Sequence, residues 1–141
     1  MALKLTLKPG EKLVINGAVI QNSDRRTTLV IQNKASILRE KDILLPDEAN
    51  TPMRRIYFAI MMLYLEEKGA RDFYDEFVQR MSEFMNAISN PDAVAQCVAI
   101  IQSVHDRQYY KALMACRKLY PFEEARLNYV SPELSDRPEH D

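Results

Sequence analysis

Five basic side chains near the start of the chain have the type and spacing to hold a phosphate backbone: Lys8, Arg25, Arg26, Lys34 and Arg39. Lys8 follows a strand-like run and Arg25-Arg26 sit in a polar loop. Lys34 precedes a last strand-like run, and Arg39 ends it. Arginines at loops and strand ends are free to fork onto phosphates or purine edges. All twelve aromatic residues lie after position 56, so this part of the chain cannot stack bases on aromatic rings. Recognition here would rest on basic side chains and backbone groups. The plain alternative for each is a solvated surface charge. Other chemistry has little footing. His105-Asp106-Arg107 reads as a helix boundary, with Asp106 capping a fourth helix, more than as an acid–base cluster. Glu66-Glu67 and Glu123-Glu124 are adjacent carboxylates of the kind found on solvated faces. The three glycines each have a turn or cap to serve, so there is no phosphate-binding loop. Cys97 and Cys116 are 19 residues apart on apolar helical faces and form no metal-ligand spacing, so two buried thiols are expected. The residues support neither an enzyme, a catalytic residue, a cofactor nor a metal.

These side chains belong to a chain of 141 residues with 47% hydrophobic and 28% charged residues, as in a globular protein of one domain or two small ones. The net charge of −1 conceals an asymmetry: residues 1–45 carry +4 and residues 46–141 carry −5. A basic front and an acidic back suit two kinds of partner, one polyanionic and one not. The first residues alternate and form no signal peptide, and no apolar run approaches the roughly 20 residues of a membrane span. A cytoplasmic protein without membrane contact is expected.

The elements that must position the basic residues are strands. Leu3, Leu5 and Leu7 alternate with Lys4, Thr6 and Lys8, the period of a half-buried strand. Pro9-Gly10-Glu11 is a turn. Asn16-Gly17, between Lys12–Ile15 and Ala18–Gln21, is a hairpin signal, because both residues tolerate positive φ. Thr27 to Gln32 and Lys34 to Arg39 are further strands, closed by a turn at Glu40-Lys41-Asp42. Residues 1–45 thus form a basic β unit and 46–51 a linker. Thr51-Pro52 opens a helix that runs to Lys68 and stops at Gly69. Further helices span about 71–89, start at Asn90-Pro91, and follow Asp106 with Tyr109, Leu113, Cys116 and Tyr120 on one face. The fold class is α+β: a small antiparallel β unit, then a bundle of about four helices over 52–122, then an acidic, largely disordered tail over 123–141. The β unit is marginal in size and must pack on the helices or pair with a second copy as a homodimer.

Three blocks carry a resemblance to a known family: Leu3–Lys12, Ile15–Asn22 and Asn33–Ile43. With the Met-rich first helix they resemble the FlbT family of flagellum-biosynthesis regulators in α-proteobacteria, over nearly the whole chain. The resemblance implies a post-transcriptional repressor that associates with the 5′ untranslated region of flagellin mRNA, limits translation and promotes decay. It also implies a helical protein, FlaF, acting beside it. The N-terminal segment has a weaker similarity to the CsrA translation repressor, through Leu5–Lys8, Gly10–Leu13 and Arg39–Ile43. That similarity implies RNA contact by Lys8 and Arg39. It departs at Leu7 and Leu38, where CsrA has an arginine and a histidine, in its shorter spacing, and in the long helical part that CsrA lacks. The alternative function is a protein-interaction module that binds flagellin or FlaF and affects the message indirectly. Met62, Tyr109 and Tyr110 are the candidate partner residues, since exposed aromatics dominate protein hot spots.

Overall fold

The computed structural model describes residues 2–65 and 70–126. Five strands come first: β1 (Leu3–Leu7), β2 (Lys12–Ile15), β3 (Ala18–Gln21), β4 (Thr27–Ile31) and β5 (Ile37–Arg39). Among the described residues the helices α1 (Pro52–Leu65), α2 (Ala70–Asn86), α3 (Pro91–His105) and α4 (Tyr109–Lys118) follow, with a further helical stretch over 120–126. This is the expected α+β arrangement. β1 pairs antiparallel with β4, and β2 pairs antiparallel with both β3 and β5. The β2–β3 hairpin turns on Asn16 at φ 49° and Gly17 at φ 84°, the left-handed pair that a two-residue turn requires.

β2 is buried on both sides, and this sets the layering. Leu13 packs with Leu5 and Leu7 of β1 in a small core that Leu29, Ile31 and Ile37 extend. Val14 and its register partner Leu38 lie on the other side and belong to the helical core. The two-stranded sheet therefore covers one face of the three-stranded sheet, and the helices cover the other. Unlike alternating β1, β2 carries the consecutive apolar run Leu13-Val14-Ile15, and the helices bury Val14 on the second side.

Polar bonds fasten the two units. Tyr64 Oη accepts from Ile37 N at 3.0 Å and donates to Ile37 O at 3.2 Å. Tyr57 Oη donates to Asp42 O at 2.7 Å. The Asp42 side chain is almost wholly buried. Its Oδ1 lies 2.8 Å from Arg117 Nη1 at an angle poor for a hydrogen bond, so the contact is electrostatic. Arg117 Nη2 also donates to Lys41 O at 2.6 Å. The turn at 40–42 is thus tied to α1 and α4.

Several boundaries differ from the sequence expectation. The strand expected from Lys34 starts only at Ile37, because Asn16 captures the preceding loop: Ser36 N donates to Asn16 Oδ1 and Asn16 N to Ser36 O. α2 stops at Asn86, short of Ser89. Asp106 does not cap α4. It ends α3, its N–H donating to Gln102 O, and Arg107 then turns to φ 60° before Gln108 starts α4. Asn90 does cap α3 through its side chain, and Thr51 Oγ1 accepts from Arg54 N, as expected. Gly69 lies outside the described residues.

α1 carries no acidic residue in its first turn, only Arg54 and Arg55, an arrangement its dipole opposes. The compensation comes from the far end of the chain. Residues 120–126 are helical, buried Glu123 accepts from Met53 N at 2.8 Å through Oε2, and Glu124 pairs with Arg54 at 3.5 Å. Residues 123–126, placed by the sequence at the head of the tail, are thus helical and cap α1. The tail from 127 lies outside the described residues. Cys97 and Cys116 are both buried and free, as expected, in the core beneath α3 and α4.

Candidate nucleic-acid interface

The exposed face of the β1–β4 sheet follows from its register. Lys4 lies opposite Val30 and Thr6 opposite Thr28, with the two threonine hydroxyls 3.4 Å apart. One step beyond the pair Leu7 and Thr27 come Lys8 and Arg26, both exposed. Cation and hydroxyl therefore line one strip, while Leu5 and Leu7 turn inward.

The end of the strip is built by two residues that sequence reasoning did not single out. Asn22 Nδ2 donates to Lys8 O at 2.9 Å and to Arg25 O at 2.8 Å, drawing the two basic loops together. Its backbone N–H donates to Glu11 O. Glu11 Oε1 accepts from Lys8 N at 2.9 Å, closing the Pro9-Gly10 turn. This N–H and the Arg39 guanidinium hold the Glu11 carboxyl below the ordinary carboxylate range. The only sequence signal for these roles was their position in turn-rich segments: a carboxylate three residues after Lys8, and an Asn at the head of the 22–26 loop.

The expected contact residues separate into three groups. Lys8, Arg25 and Arg26 come together, exposed, at this end of the strands, and Lys12 opens β2 just after the turn, whereas exposed Lys4 pairs with Val30 near the other end of β1. Lys34 is exposed but lies beyond the Ile31 end of β4, and four residue steps along the strand place that end about 13 Å away. Arg39 is a correction. It is not a free strand-end cation: Nη2 donates to Thr6 O at 2.6 Å and to Glu11 Oε2 at 3.0 Å. Its guanidinium crosses from β5 to β1 and sews the two sheets together. The strand alternation that points Ile37 at the small core points Arg39 the same way.

The partner candidates differ in exposure from one another, Tyr110 alone being exposed as expected. Met62 and Tyr109 are half-buried against the helical core. Tyr110 is 43% exposed, and its hydroxyl lies 3.4 Å from Asp42 Oδ2. Burial, then the Asp42 carboxylate, raise its pKa above the ordinary phenol value. Glu123 and Glu124 serve separate partners, His105 is exposed in the last turn of α3, and Glu66-Glu67 lie outside the described residues. Among the described residues no three His, Cys, Asp or Glu side chains group as metal ligands. Among them, too, no helix is long and apolar enough to cross a membrane.

The family model for "Flagellar protein FlbT" matches residues 3–127, which takes in the described strands, the basic end and the described helices. The chain belongs to the FlbT family. It is similar to the probable flagellum biosynthesis repressor protein FlbT of Caulobacter vibrioides strain NA1000, with 58% identity over 135 residues and 96% of each chain covered. The FlbT protein of Caulobacter sp. strain K31 is 59% identical over 131 residues, covering 93% of this chain and all of that one. The probable FlbT of Rhodopseudomonas palustris strain TIE-1 is 39% identical over 130 residues, covering 91% of this chain and 99% of that one. No solved structure matches the chain. The family resemblance drawn from the three sequence blocks is thereby established, and the match covers both the β unit and the described helices of this chain.

Proposed function

We propose that this chain represses flagellum biosynthesis after transcription, by holding the 5′ untranslated region of flagellin mRNA on the basic end of its β unit. The repressor role is carried over from the names of the FlbT relatives. The RNA reading is supported by one observation above the rest: Asn22 gathers Lys8 and Arg25, with Arg26 following, into an exposed basic end beside a strip of threonine hydroxyls. Such a surface suits the phosphates and 2′-hydroxyls of a single-stranded loop, with an affinity that falls as salt rises. It has no aromatic platform, so bases would be read at their edges or not at all. The reading assigns the chain no catalytic step and a cytoplasmic place of action.

A second reading makes the chain an interaction protein that binds flagellin or FlaF and acts on the message indirectly. Exposed Tyr110 and the acidic helical half favour it. Recovery of the tagged chain from cells separates the two. The first reading expects flagellin transcript in the eluate, lost on RNase treatment and lost with Arg25→Glu/Arg26→Glu. Recovery of flagellin protein that RNase leaves untouched, with no transcript enrichment, contradicts it.

A further inference from the structure

The outward strip of the β1–β4 sheet alternates in kind. Lys4 stands opposite Val30 and Thr6 opposite Thr28, and Lys8 and Arg26 follow one step past the last paired residues. All six side chains are exposed. Lys4 and Lys8 are four residues apart, about 13 Å along the strand, and the threonine pair lies midway. The order along the strip is therefore cation, hydroxyl pair, cations.

The chain has four threonines, and the fold spends the hydroxyls of the other two. Thr27 Oγ1 donates to Arg25 O at 3.1 Å, and Thr51 Oγ1 accepts from Arg54 N at 3.2 Å. Among the described residues Thr6 Oγ1 and Thr28 Oγ1 bond only to each other, at 3.4 Å. That is longer than the roughly 2.5–3.0 Å of a good O–H···O bond. The pair shares one proton at most, so a second O–H and several lone pairs face solvent. A cross-strand threonine pair also supports a sheet, but valine suits a strand equally well and has no such bonding capacity.

The cations cannot tell RNA from DNA. Both polymers carry phosphates, and phosphate contacts position a strand without reading it. No aromatic residue lies before position 57, so stacking cannot set the preference either. What distinguishes the two at the sugar is the 2′-hydroxyl, at once donor and acceptor. A threonine hydroxyl has the same two capacities. It can bond a ribose there, and finds no partner on a deoxyribose. Phosphates held at the two ends of the strip lay the intervening sugar over the hydroxyl pair.

We propose that Thr6 and Thr28 select RNA over DNA, through hydrogen bonds to a ribose 2′-hydroxyl. The inference rests on the RNA reading of the basic end and adds a division of labour to it. Lys8, Arg25 and Arg26 supply affinity, and the threonine pair supplies the choice of sugar.

The probe is a short single-stranded RNA from the flagellin 5′ untranslated region. Its twin carries the same bases, uracil included, on deoxyribose, so the 2′-hydroxyl is the sole difference. Fluorescence anisotropy with the full, unsubstituted chain should show the RNA bound about fivefold tighter, the effect of roughly one net hydrogen bond. Thr6→Val/Thr28→Val should bring the RNA down to the affinity of its twin. The slope of log affinity against log salt should be retained, because no cation is removed. The comparison of RNA with its twin is made on the unsubstituted chain, so a folding defect in the variant cannot imitate it. Equal affinity for RNA and twin, or a preference that survives in the valine variant, overturns the inference. The RNA reading then stands as long as Arg25→Glu/Arg26→Glu still weakens binding. Failure of the unsubstituted chain to bind the RNA overturns both.

Discussion

Replacing Arg117 by alanine should loosen the β unit from the helices and lower the stability of the whole chain. Arg117 supplies the charge that faces Asp42, a carboxylate only 2% exposed, at 2.8 Å. It also supplies the donor for Lys41 O. Removing one partner of a buried ion pair typically costs about 3–5 kcal/mol, because the other charge is left uncompensated. Here the arginine side chain is itself 36% exposed, so water already weakens the pair, and the lower end of that range applies. Losing the donor to Lys41 O adds about 1 kcal/mol, since water can reach that partly open site. The sum is roughly 3–4 kcal/mol, which at about 3–4 °C per kcal/mol for a chain of this size is a fall of about 10 °C in Tm. Thermal and urea melts followed by circular dichroism read it directly. The double variant Asp42→Leu/Arg117→Met removes both charges and should lie well above the single variant, the positive coupling expected of neighbours. An Arg117→Ala chain that melts within about 0.5 kcal/mol of the parent would refute the claim that this pair holds the turn at 40–42 to α4.

Other outcomes follow from the same structure. Arg39→Glu should unfold or strongly destabilise the β unit, because it sets a second carboxylate beside Glu11 and strips the donor from Thr6 O; a normal melt with selective loss of RNA binding would restore Arg39 to the contact surface. The folded pKa of Glu11 is depressed below its unfolded value, so its contribution to stability is present above about pH 4.5 and is lost as pH falls through the folded value. Melts of the parent and Glu11→Gln should therefore converge in acid and differ most at neutral pH. Burial pushes the Cys97 thiol up to about 11 and Cys116 higher still, so iodoacetamide at pH 8 should leave both unmodified in the native chain and label both in urea. Rapid labelling without denaturant would mean that the helical core opens far more easily than its packing implies.

Local signals made much of the fold legible. Alternating leucines, Asn16-Gly17, Thr51-Pro52 and Asn90-Pro91 each carry their own geometry, and each element appears where these residues place it. What sequence periodicity could not supply was anything closed by residues far apart in the chain. Glu123 caps a helix that begins 71 positions earlier, and Arg39 bonds a strand 33 positions away; neither pairing leaves a local trace. Asp106 was misplaced because a helix-capping residue type serves either end of a short connection, and the left-handed turn at Arg107 decided which. In the candidate site, Lys8, Arg25 and Arg26 were legible as exposed cations because they sit in turn-rich sequence. That Lys34 lies at the opposite end required the strand register. That Met62 and Tyr109 are half-covered required the packing of α1 against α4, since a helical stripe reads alike whether a partner or the protein's own core covers it.

The most direct measurement of the central claim is the salt dependence of binding between the purified chain and the flagellin 5′ untranslated region, compared with Arg25→Glu/Arg26→Glu. Each phosphate contact on a single strand contributes about 0.7 to the slope of log affinity against log salt. Removing two cations should lower that slope by about 1.4 and weaken binding at physiological salt, with melting temperature unchanged because both positions are exposed. Unchanged affinity and slope in a folded double variant would contradict the account and move RNA contact away from the basic end of the strands.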